Sequence, residues 1–287
     1  MALSGITTTT LLGTAKMAAD QFGLQVAIEA VNRSVMLPLS RRYIIPEGNA
    51  LYIPKVGTRA VTALTRGTDD GVAWTYSALN DTGITMTKRA TYDALAVDWL
   101  VMNDLTPDRA AAWLNAERSQ MSAALANDFD TTLLGLHASI TTNTVGGAGV
   151  DVDYPLLISA IQKLRAANAP EPYFGVFDES QWDHLAAIDQ LVRFDARGEG
   201  DTIVNRQAFK MFGVQIYTTN NVVTSGGTTA KNMLFSGELF QVALRNLATV
   251  EDWRDQNTHA NKLVVWQDIA YALSFENYGC IVNTSSS

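Results

Sequence analysis

The most regular hydrophobic pattern of the chain lies in its middle third and predicts one long helix. The apolar set, spaced by seven, four, four, four and three residues, is Leu114, Met121, Leu125, Phe129, Leu133 and Leu136. Thr106 suits the N-cap and Pro107 the first helical position, and Asp108 lies where the helix dipole favours a negative charge. About 30 residues at about 1.5 Å each predict a helix of about 45 Å.

Two segments before this helix carry different patterns. Residues 10–36 have apolar residues at roughly helical spacing and predict a helical arm that ends at Pro38. Residues 44–101 carry Val, Ile, Tyr and Thr between glycines, which predicts strands and turns with an exposed tip at residues 67–71. Apolar and polar residues alternate over residues 84–90, so one face of that strand is expected to be buried and the other wet.

After the long helix the pattern predicts alternating helices and strands. Residues 141–149 have the composition of a flexible connector. Helices are predicted at residues 154–168 and 179–191, with a buried strand at residues 173–177 between them. The expected inward residues of the second helix are Trp182, Leu185, Ala186 and Ile188.

The last third predicts mainly strands. Residues 193–208, rich in Arg, Asp, Gly and Glu, predict a mobile loop. In residues 209–222 a glycine turn leads into one short strand that ends in two asparagines. A hairpin-like loop at residues 225–229 precedes the strand at residues 232–235. Residues 262–275 are too rich in Val, Trp, Ile and Tyr for a surface helix and predict one long strand or two.

Composition and charge narrow the function classes. The chain has 287 residues, 47% of them hydrophobic, which is enough for two domains or for one large domain with insertions. The net charge is −8, and residues 101–200 hold 14 acidic and 6 basic side chains. An acidic chain is not expected to bind nucleic acid tightly, because that affinity comes from Lys and Arg neutralising phosphates.

Compartment and membrane signals are few. No stretch approaches the roughly 18 apolar residues of a membrane span, and the N-terminus lacks the basic and apolar regions of a signal peptide. Cys280 is the only cysteine, so an internal disulfide and a zinc site built from thiolates are both excluded. These features are typical of a protein made in a reducing cytoplasm.

The sequence predicts no catalytic, cofactor-binding or metal-binding residue, and no cofactor. His137, His184 and His259 lie far apart in different element types, without a metal-ligand spacing. Cys280 is expected to be a small core residue rather than a nucleophile. The glycines of residues 146–149 resemble a phosphate-binding loop only loosely, because no Lys-Ser or Lys-Thr follows them.

The acidic residues do not predict a binding or catalytic site either. Asp128 and Asp130 are two positions apart and do not share a helix face, so a solvated flank is expected. Asp69 and Asp70 lie in a glycine loop, where exposed turns favour Asp without any cation. The remaining candidate cluster is His184 with Asp178, Glu179 and Asp183, and the charged N-terminus of a helix accounts for it well, because the helix dipole favours acidic residues there.

The order of elements resembles a known family: helical arm, two-stranded excursion, long helix, α/β insertion and long terminal strands. This order is similar to the major capsid protein of tailed bacteriophages, the Hong Kong 97-type fold that encapsulin shells also have. Local stretches look like the family as well, and their order carries more weight than any one of them. They are residues 123–130 (AALANDFD), 164–170 (LRAANAP), 173–177 (YFGVF) before a helix with Trp182, 212–221 (FGVQIYTTNN) and 270–279 (AYALSFENYG).

The resemblance covers essentially the whole chain and implies an α+β fold with named parts. Residues 1–45 would be an N-terminal arm that reaches across a neighbour. Residues 46–100 would be an extended E-loop. Residues 101–145 and 245–287 would form the peripheral domain with the long helix as its spine. Residues 146–244 would form the axial domain near the centre of the capsomer.

The resemblance also implies a function and partners. The chain would be a structural protein and not an enzyme, assembling with itself into hexamers and pentamers of an icosahedral head around double-stranded DNA, in the host bacterial cytoplasm. Because the sequence starts directly at the arm, a separate scaffolding protein is expected, unless the chain is already processed. A portal protein is a further expected partner, and the resemblance leaves open whether a decoration protein binds on the outside. DNA would be held without sequence-specific binding, and an acidic inner face would let it slide.

Some relatives join subunits through Lys–Asn isopeptide bonds, which need a lysine, an asparagine and a carboxylate together. Lys55 and Lys88 lie in the E-loop segment, but the sequence does not indicate an asparagine and a carboxylate that would accompany either lysine, so no cross-links are predicted.

Two alternative functions stay open. One is a cargo compartment of the encapsulin kind, with the same fold. The other is an α/β enzyme or ligand-binding domain at residues 150–245.

Overall fold

The computed structural model describes residues 22–45, 48, 50–55, 82–98, 107–188, 207–255 and 260–286. Helices and 3-10 turns make up a minority of these residues. The α-helices are α1 (residues 22–33), α2 (Met36–Leu39), α3 (Pro107–Gly135), α4 (Tyr154–Ala166) and α5 (Trp182–Ala187). The 3-10 turns are Leu136–Ser139, Glu179–Gln181 and Glu276–Tyr278.

Strands make up three sheets within the described residues. The first strands are β1 (Arg41–Ile44), β2 (Ala50–Lys55), β3 (Thr82–Thr87), β4 (Arg89–Asp98), β5 (Thr144–Gly146) and β6 (Tyr173–Asp178). The later strands are β7 (Gln207–Met211), β8 (Val214–Thr219), β9 (Thr224–Ser225), β10 (Thr229–Ser236), β11 (Phe240–Asp255), β12 (Ala260–Leu273) and β13 (Gly279–Ser285).

Helix α3 confirms the predicted long helix. It begins at Pro107, ends at Gly135 and has 29 residues. The predicted stripe is buried along the C-terminal half of the helix, at Met121, Leu125, Phe129 and Leu133. These side chains share one hydrophobic core with Val265 and Ile269 of β12. The helix therefore lies along one face of the sheet that contains β12.

That sheet has four strands in the order β1-β11-β12-β4. Strand β1 runs parallel to β11, whereas β11 with β12 and β12 with β4 are antiparallel. Strand β12 confirms the predicted long strand as a single element. Strand β4, inside the segment assigned to the E-loop, pairs with β12 over its whole length, from Ala260↔Asp98 to Ile269↔Arg89.

Strands β2 and β3 form a separate two-stranded ribbon, antiparallel from Ala50↔Thr87 to Lys55↔Thr82. The predicted alternation over residues 84–90 is confirmed in β3, where Met86 is buried and Thr85 and Thr87 are exposed. Met86 packs with Ile45 against Ala243 and Ala270 of the four-stranded sheet. The ribbon is thus attached through one of its faces, on which Ile53 and Ile84 are also partly buried. Its predicted tip, with Asp69 and Asp70, lies outside the described residues.

The third sheet is mixed, with the order β5-β13-β10-β6-β8-β7 and β9 beside β10. Strands β6 and β8 are parallel, and so are β13 and β5. One face packs on α4 and α5 around a core that includes Leu157, Leu164, Phe177, Leu185 and Ile216. Asp153 caps α4 by accepting a hydrogen bond from the Leu156 N–H at 2.8 Å.

The arm differs from its prediction. A helix ending at Pro38 was expected, but α1 ends at residue 33 and Pro38 lies inside the short helix α2. The reason is tertiary: Ser34, Val35 and Met36, at the break between the two helices, are hydrogen-bonded to a carboxylate of α3. Residues 10–21 of the predicted helix lie outside the described residues.

Two other predictions need correction. The expected connector at residues 141–149 contains strand β5, which pairs in parallel with β13. The expected helix at residues 179–191 begins as a 3-10 turn, and α5 ends at Ala187. Leu185 and Ile188 are buried as predicted, whereas Ala186 is exposed.

The strand predictions near residues 209–222 hold with one addition. Strand β8 follows the Phe212-Gly213 turn as expected, and β7 precedes the turn and pairs with β8 as a hairpin. The hairpin-like loop at residues 225–229 is confirmed by β9 and β10. Of the predicted mobile loop at residues 193–208, residues 193–206 lie outside the described part of the chain.

Candidate functional site

The polar candidates from the sequence make separate contacts. The Nε2 atom of His184 lies 3.6 Å from the Oδ1 atom of Asp151, and both side chains are half exposed. Asp178 instead accepts a hydrogen bond from Ser180, and its backbone N–H donates to Asn232 at 2.7 Å. Among the described residues, no group of three or more His, Cys, Asp or Glu side chains could hold a metal ion.

Cys280 and His137 have structural surroundings. Cys280 is buried, and desolvation raises the pKa of its thiol to about 11, so it stays protonated at neutral pH. This confirms Cys280 as a core residue. The Nδ1 atom of His137 lies 3.0 Å from the carbonyl oxygen of Leu134, one helical turn before it. His259 lies outside the described residues.

Two of the glycines in residues 146–149, Gly146 and Gly149, have a positive φ. Gly146 ends β5 with φ +75, and a Cβ atom there would lie 2.2 Å from the carbonyl oxygen of Asn283. Strand pairing with β13 therefore demands a glycine at this position.

In the described part of the chain, no helix is both long enough and apolar enough to cross a membrane.

Asp130 does not lie where the sequence predicts it. Its predicted place on a solvated flank is wrong, because only 2% of the residue is exposed. Its carboxylate accepts hydrogen bonds from Ser34 Oγ at 2.6 Å and from the N–H groups of Val35 and Met36 at 3.0 and 2.9 Å. A signal existed, since Asp130 lies four residues after Ala126 and four before Leu134, which are both buried.

Arginines fix helix α1 along α3. Arg33 donates to the backbone oxygen and the hydroxyl of Ser119 at 2.9 and 2.7 Å, and it pairs with Glu29 at 2.7 Å. Arg118 of α3 donates to Gln25 at 2.7 Å and lies 3.4 Å from Glu29. Together with Asp130, these contacts hold residues 22–36 against the long helix.

The base of the ribbon is held by two further ion pairs. Lys88, between β3 and β4, lies 2.9 Å from Asp268 of β12, whose side chain is almost fully buried. Arg89 lies 3.1 Å from Asp128 and donates to Thr132 at 2.7 Å. Lys88, one of the two candidate lysines for cross-linking, is therefore engaged within its own chain.

Apolar side chains remain exposed at the margins of the molecule. The large hydrophobic residues that are exposed in the described part of the chain are Leu24, Ile28, Ile44, Tyr52, Tyr92, Val150 and Phe212. Several lie on α1, on the ribbon or on β1 and β4, which are the two edges of the four-stranded sheet. Exposed apolar groups on edge strands favour association with another chain.

Solved structures are similar to this chain, although no family model matches it and no curated protein matches it either. A chain of Mycobacterium phage Che8 has a TM-score of 0.63 and 18% identity, covering 82% of this chain and 85% of that one. The capsid structure of the cyanophage P-SCSP1u has a TM-score of 0.60 and 15% identity, covering 88% and 89%.

The capsid of a native GTA particle, computed with C5 symmetry, has a TM-score of 0.64 at 10% identity, covering 89% of this chain and 91% of that one. At such low identity, the likeness shows the fold. The predicted α+β fold of the Hong Kong 97 type is therefore confirmed. The names arm, E-loop, peripheral domain and axial domain stay predictions.

Proposed function

We propose that this chain is a structural major capsid protein. It assembles into the hexamers and pentamers of an icosahedral phage head that encloses double-stranded DNA. One observation carries the proposal: the chain shares its fold, over 82–89% of its length, with chains of the Che8 phage, a cyanophage capsid and a GTA capsid. Fold alone does not establish function, so the surfaces of the chain supply the further support.

Those surfaces suit assembly. A two-stranded ribbon is at best marginally stable by itself. One face of β2–β3 packs on the rest of its chain through Met86, with Ile53 and Ile84 partly buried beside it. A neighbouring copy would cover the other face, where Tyr52 and Thr85 are exposed. In this reading, residues 46–100 serve as the E-loop and residues 1–45 as an arm, whose residues 22–36 are anchored on α3.

The remaining parts follow the same proposal. Residues 101–145 and 245–287 form a peripheral domain, and residues 146–244 form an axial domain. The role is structural rather than enzymatic. The shell assembles in the host bacterial cytoplasm with a separate scaffolding protein and a portal protein. A net charge of −8 suits a shell that encloses DNA without binding its sequence.

Co-expression tests the proposal. The chain is produced alone and together with a scaffolding protein gene, and both preparations are sedimented through a density gradient and viewed by negative-stain microscopy. We expect fast-sedimenting closed shells with the scaffold, and rings or shells without it. A monomer of 31.2 kDa in both preparations would contradict the proposal.

A further inference from the structure

The β2–β3 ribbon has a weak point at the pair Pro54↔Gly83. Proline has no N–H group to donate across the ribbon. Glycine has no side chain to pack, and it loses the most conformational freedom when it becomes part of a strand. Gly83 lies three residues before Met86, the fully buried residue that anchors the ribbon on the four-stranded sheet. The ribbon is therefore expected to open at this pair unless another group supports it.

The backbone conformation of Gly83 does not require a glycine. Gly146 and Gly213 have a positive φ, of +75 and +82, whereas Gly83 does not. What excludes a side chain at Gly83 is a neighbour, because a Cβ atom there would overlap the Cε2, Cζ and hydroxyl oxygen atoms of Tyr52. A glycine inside a strand often marks the close approach of another group. Here that group is an aromatic ring of the opposite strand.

The strand register places Tyr52 beside the weak pair. Tyr52 is paired with Thr85, one step along the same face from Pro54↔Gly83. Side chains alternate along a strand, so this face is opposite to the one that packs through Met86. Diagonal neighbours on one face lie within reach of an aromatic side chain. The ring of Tyr52 therefore extends from its own pair to the backbone of Gly83, and Tyr52 stays 49% exposed.

An aromatic ring over a glycine compensates for the missing side chain. It packs on the bare backbone and shields the neighbouring hydrogen bonds of the ribbon from water, and this arrangement stabilises glycines in sheets. The ring of Tyr52 lies over Gly83 in this way. The position at which proline and glycine weaken the pairing is thus the position that the ring covers.

We propose that Tyr52 and Gly83 form a clasp that keeps the ribbon paired within a single chain, before another copy binds. A segment that is ordered in advance loses less conformational entropy on binding, so the clasp should speed assembly. This inference rests on the proposed shell function and states how the ribbon is prepared for a neighbouring copy. Tyr52 is a positioning residue in this proposal, because it acts through the conformation of the ribbon.

A double-mutant cycle tests the clasp in the unassembled chain. Gly83→Ala puts a Cβ atom where the ring lies, so the flexible end of the tyrosine must move aside, and Tyr52→Thr removes the ring. Hydrogen exchange of the amides in residues 50–55 and 82–87, followed by mass spectrometry, measures how often the ribbon opens. We expect Gly83→Ala to be less favourable in the wild-type background than in the Tyr52→Thr background, by about threefold in exchange rate.

Two controls show whether the ring itself is responsible. Tyr52→Phe keeps the ring and should keep its coupling to Gly83→Ala. Tyr92 is a second strand tyrosine, 73% exposed, but its cross-strand partner is Trp266 and not a glycine, so Tyr92→Thr should show no coupling to Gly83→Ala. An identical effect of Gly83→Ala in the wild-type and Tyr52→Thr backgrounds would overturn the clasp, because alanine then acts only through its better strand propensity.

The rate of assembly with the scaffolding protein, followed by light scattering, measures the consequence for function. We expect Gly83→Ala and Tyr52→Thr each to slow assembly about threefold, and the double variant to be no slower than the slower single variant. Coupling in hydrogen exchange with unchanged assembly rates would overturn the role of the clasp in assembly. A wild-type chain that forms no rings or shells would instead contradict the shell function, whereas exchange in the unassembled chain still decides whether the clasp exists.

Discussion

At the residue scale, glycine positions show how backbone conformation decides a substitution. Gly213 has φ +82 in the β7–β8 turn, whereas Gly135, at the end of α3, has φ −61. A Cβ atom would meet no neighbour within 4 Å at either position. The two sites therefore differ in backbone strain and not in steric space.

We expect Gly213→Ala to lower the free energy of unfolding by about 1 kcal/mol, because alanine disfavours a positive φ. Gly135→Ala should be neutral or stabilising by up to about 1 kcal/mol, because alanine favours a helix. Urea unfolding of the two variants measures the difference. Equal effects would show that φ does not control these positions.

Asp130 and Asp128 form a second matched pair on α3. Asp130→Ala leaves the hydroxyl of Ser34 and the N–H groups of Val35 and Met36 without their buried acceptor. We expect a loss of about 2–4 kcal/mol. Asp128→Ala removes a partly exposed pair with Arg89 and should cost less than about 1 kcal/mol.

Chemical denaturation of both Asp variants tests this pair. Limited proteolysis adds a readout of the arm, since Asp130→Ala should release residues 22–36 from α3 and speed their cleavage, whereas Asp128→Ala should not. A similar stability for the two variants would contradict the assigned role of Asp130.

The burial of Asp130 was only partly predictable. The apolar residues four positions before and after it, Ala126 and Leu134, indicate the inner side of the helix. The hydrogen-bond donor that makes a carboxylate stable on that side is Ser34, which is 96 positions away in the chain and which no local pattern contains. The burial of Cys280 was easier to predict, because a single cysteine among apolar residues packs as a small hydrophobic side chain and needs no distant polar partner.

At the element scale, a carboxylate joins the segment after α3 to the turn before β13. Glu276 accepts hydrogen bonds from the N–H and hydroxyl groups of Thr141 and Thr142. These bonds, from Thr141 first, lower the pKa of Glu276 to about 2. A lowered pKa means that this contribution is present above the unfolded pKa of about 4.3 and is lost as the pH falls towards 2.

We therefore expect the stability difference between wild-type protein and Glu276→Gln to be constant above about pH 5 and to shrink below about pH 4. Thermal unfolding of both proteins across this range measures it. Glu238→Gln is the matched control, because the carboxylate of Glu238 makes a long, exposed contact with Arg41 at 3.5 Å, and its other hydrogen bonds are made by backbone groups that the substitution keeps. A difference that grows on acidification would contradict the role of Glu276.

Elements with strong local patterns were predictable, and elements made by distant pairing were not. Helix α3 and strand β12 have long apolar patterns. Strand β11 was not predicted, because its charged residues and its irregular register between Leu244 and Thr249 break the alternation. Strands β1 and β5 are short, and their parallel partners lie far away in the sequence.

At the scale of the whole molecule, the order of elements predicted the fold better than any single motif did. It did not predict how the segments divide among the sheets. Strand β4 pairs with β12, although it belongs to the same predicted excursion as β2 and β3. Sheet membership depends on contacts across about 170 residues of chain, which local periodicity does not contain.

We expect purified shells to contain no covalent cross-links. Lys88 is already paired with Asp268 at 2.9 Å, so its amine is directed towards a buried carboxylate of its own chain. Boiled particles should run on a denaturing gel as one band at 31.2 kDa. A ladder of multiples would contradict this expectation.

A symmetric reconstruction of purified particles by electron cryo-microscopy tests the central claim most directly. The account predicts a closed icosahedral shell, in which this chain forms five-fold rings at the vertices and six-fold rings between them. Particles without five-fold rings of this chain, or a chain that stays monomeric with its scaffold, would contradict it.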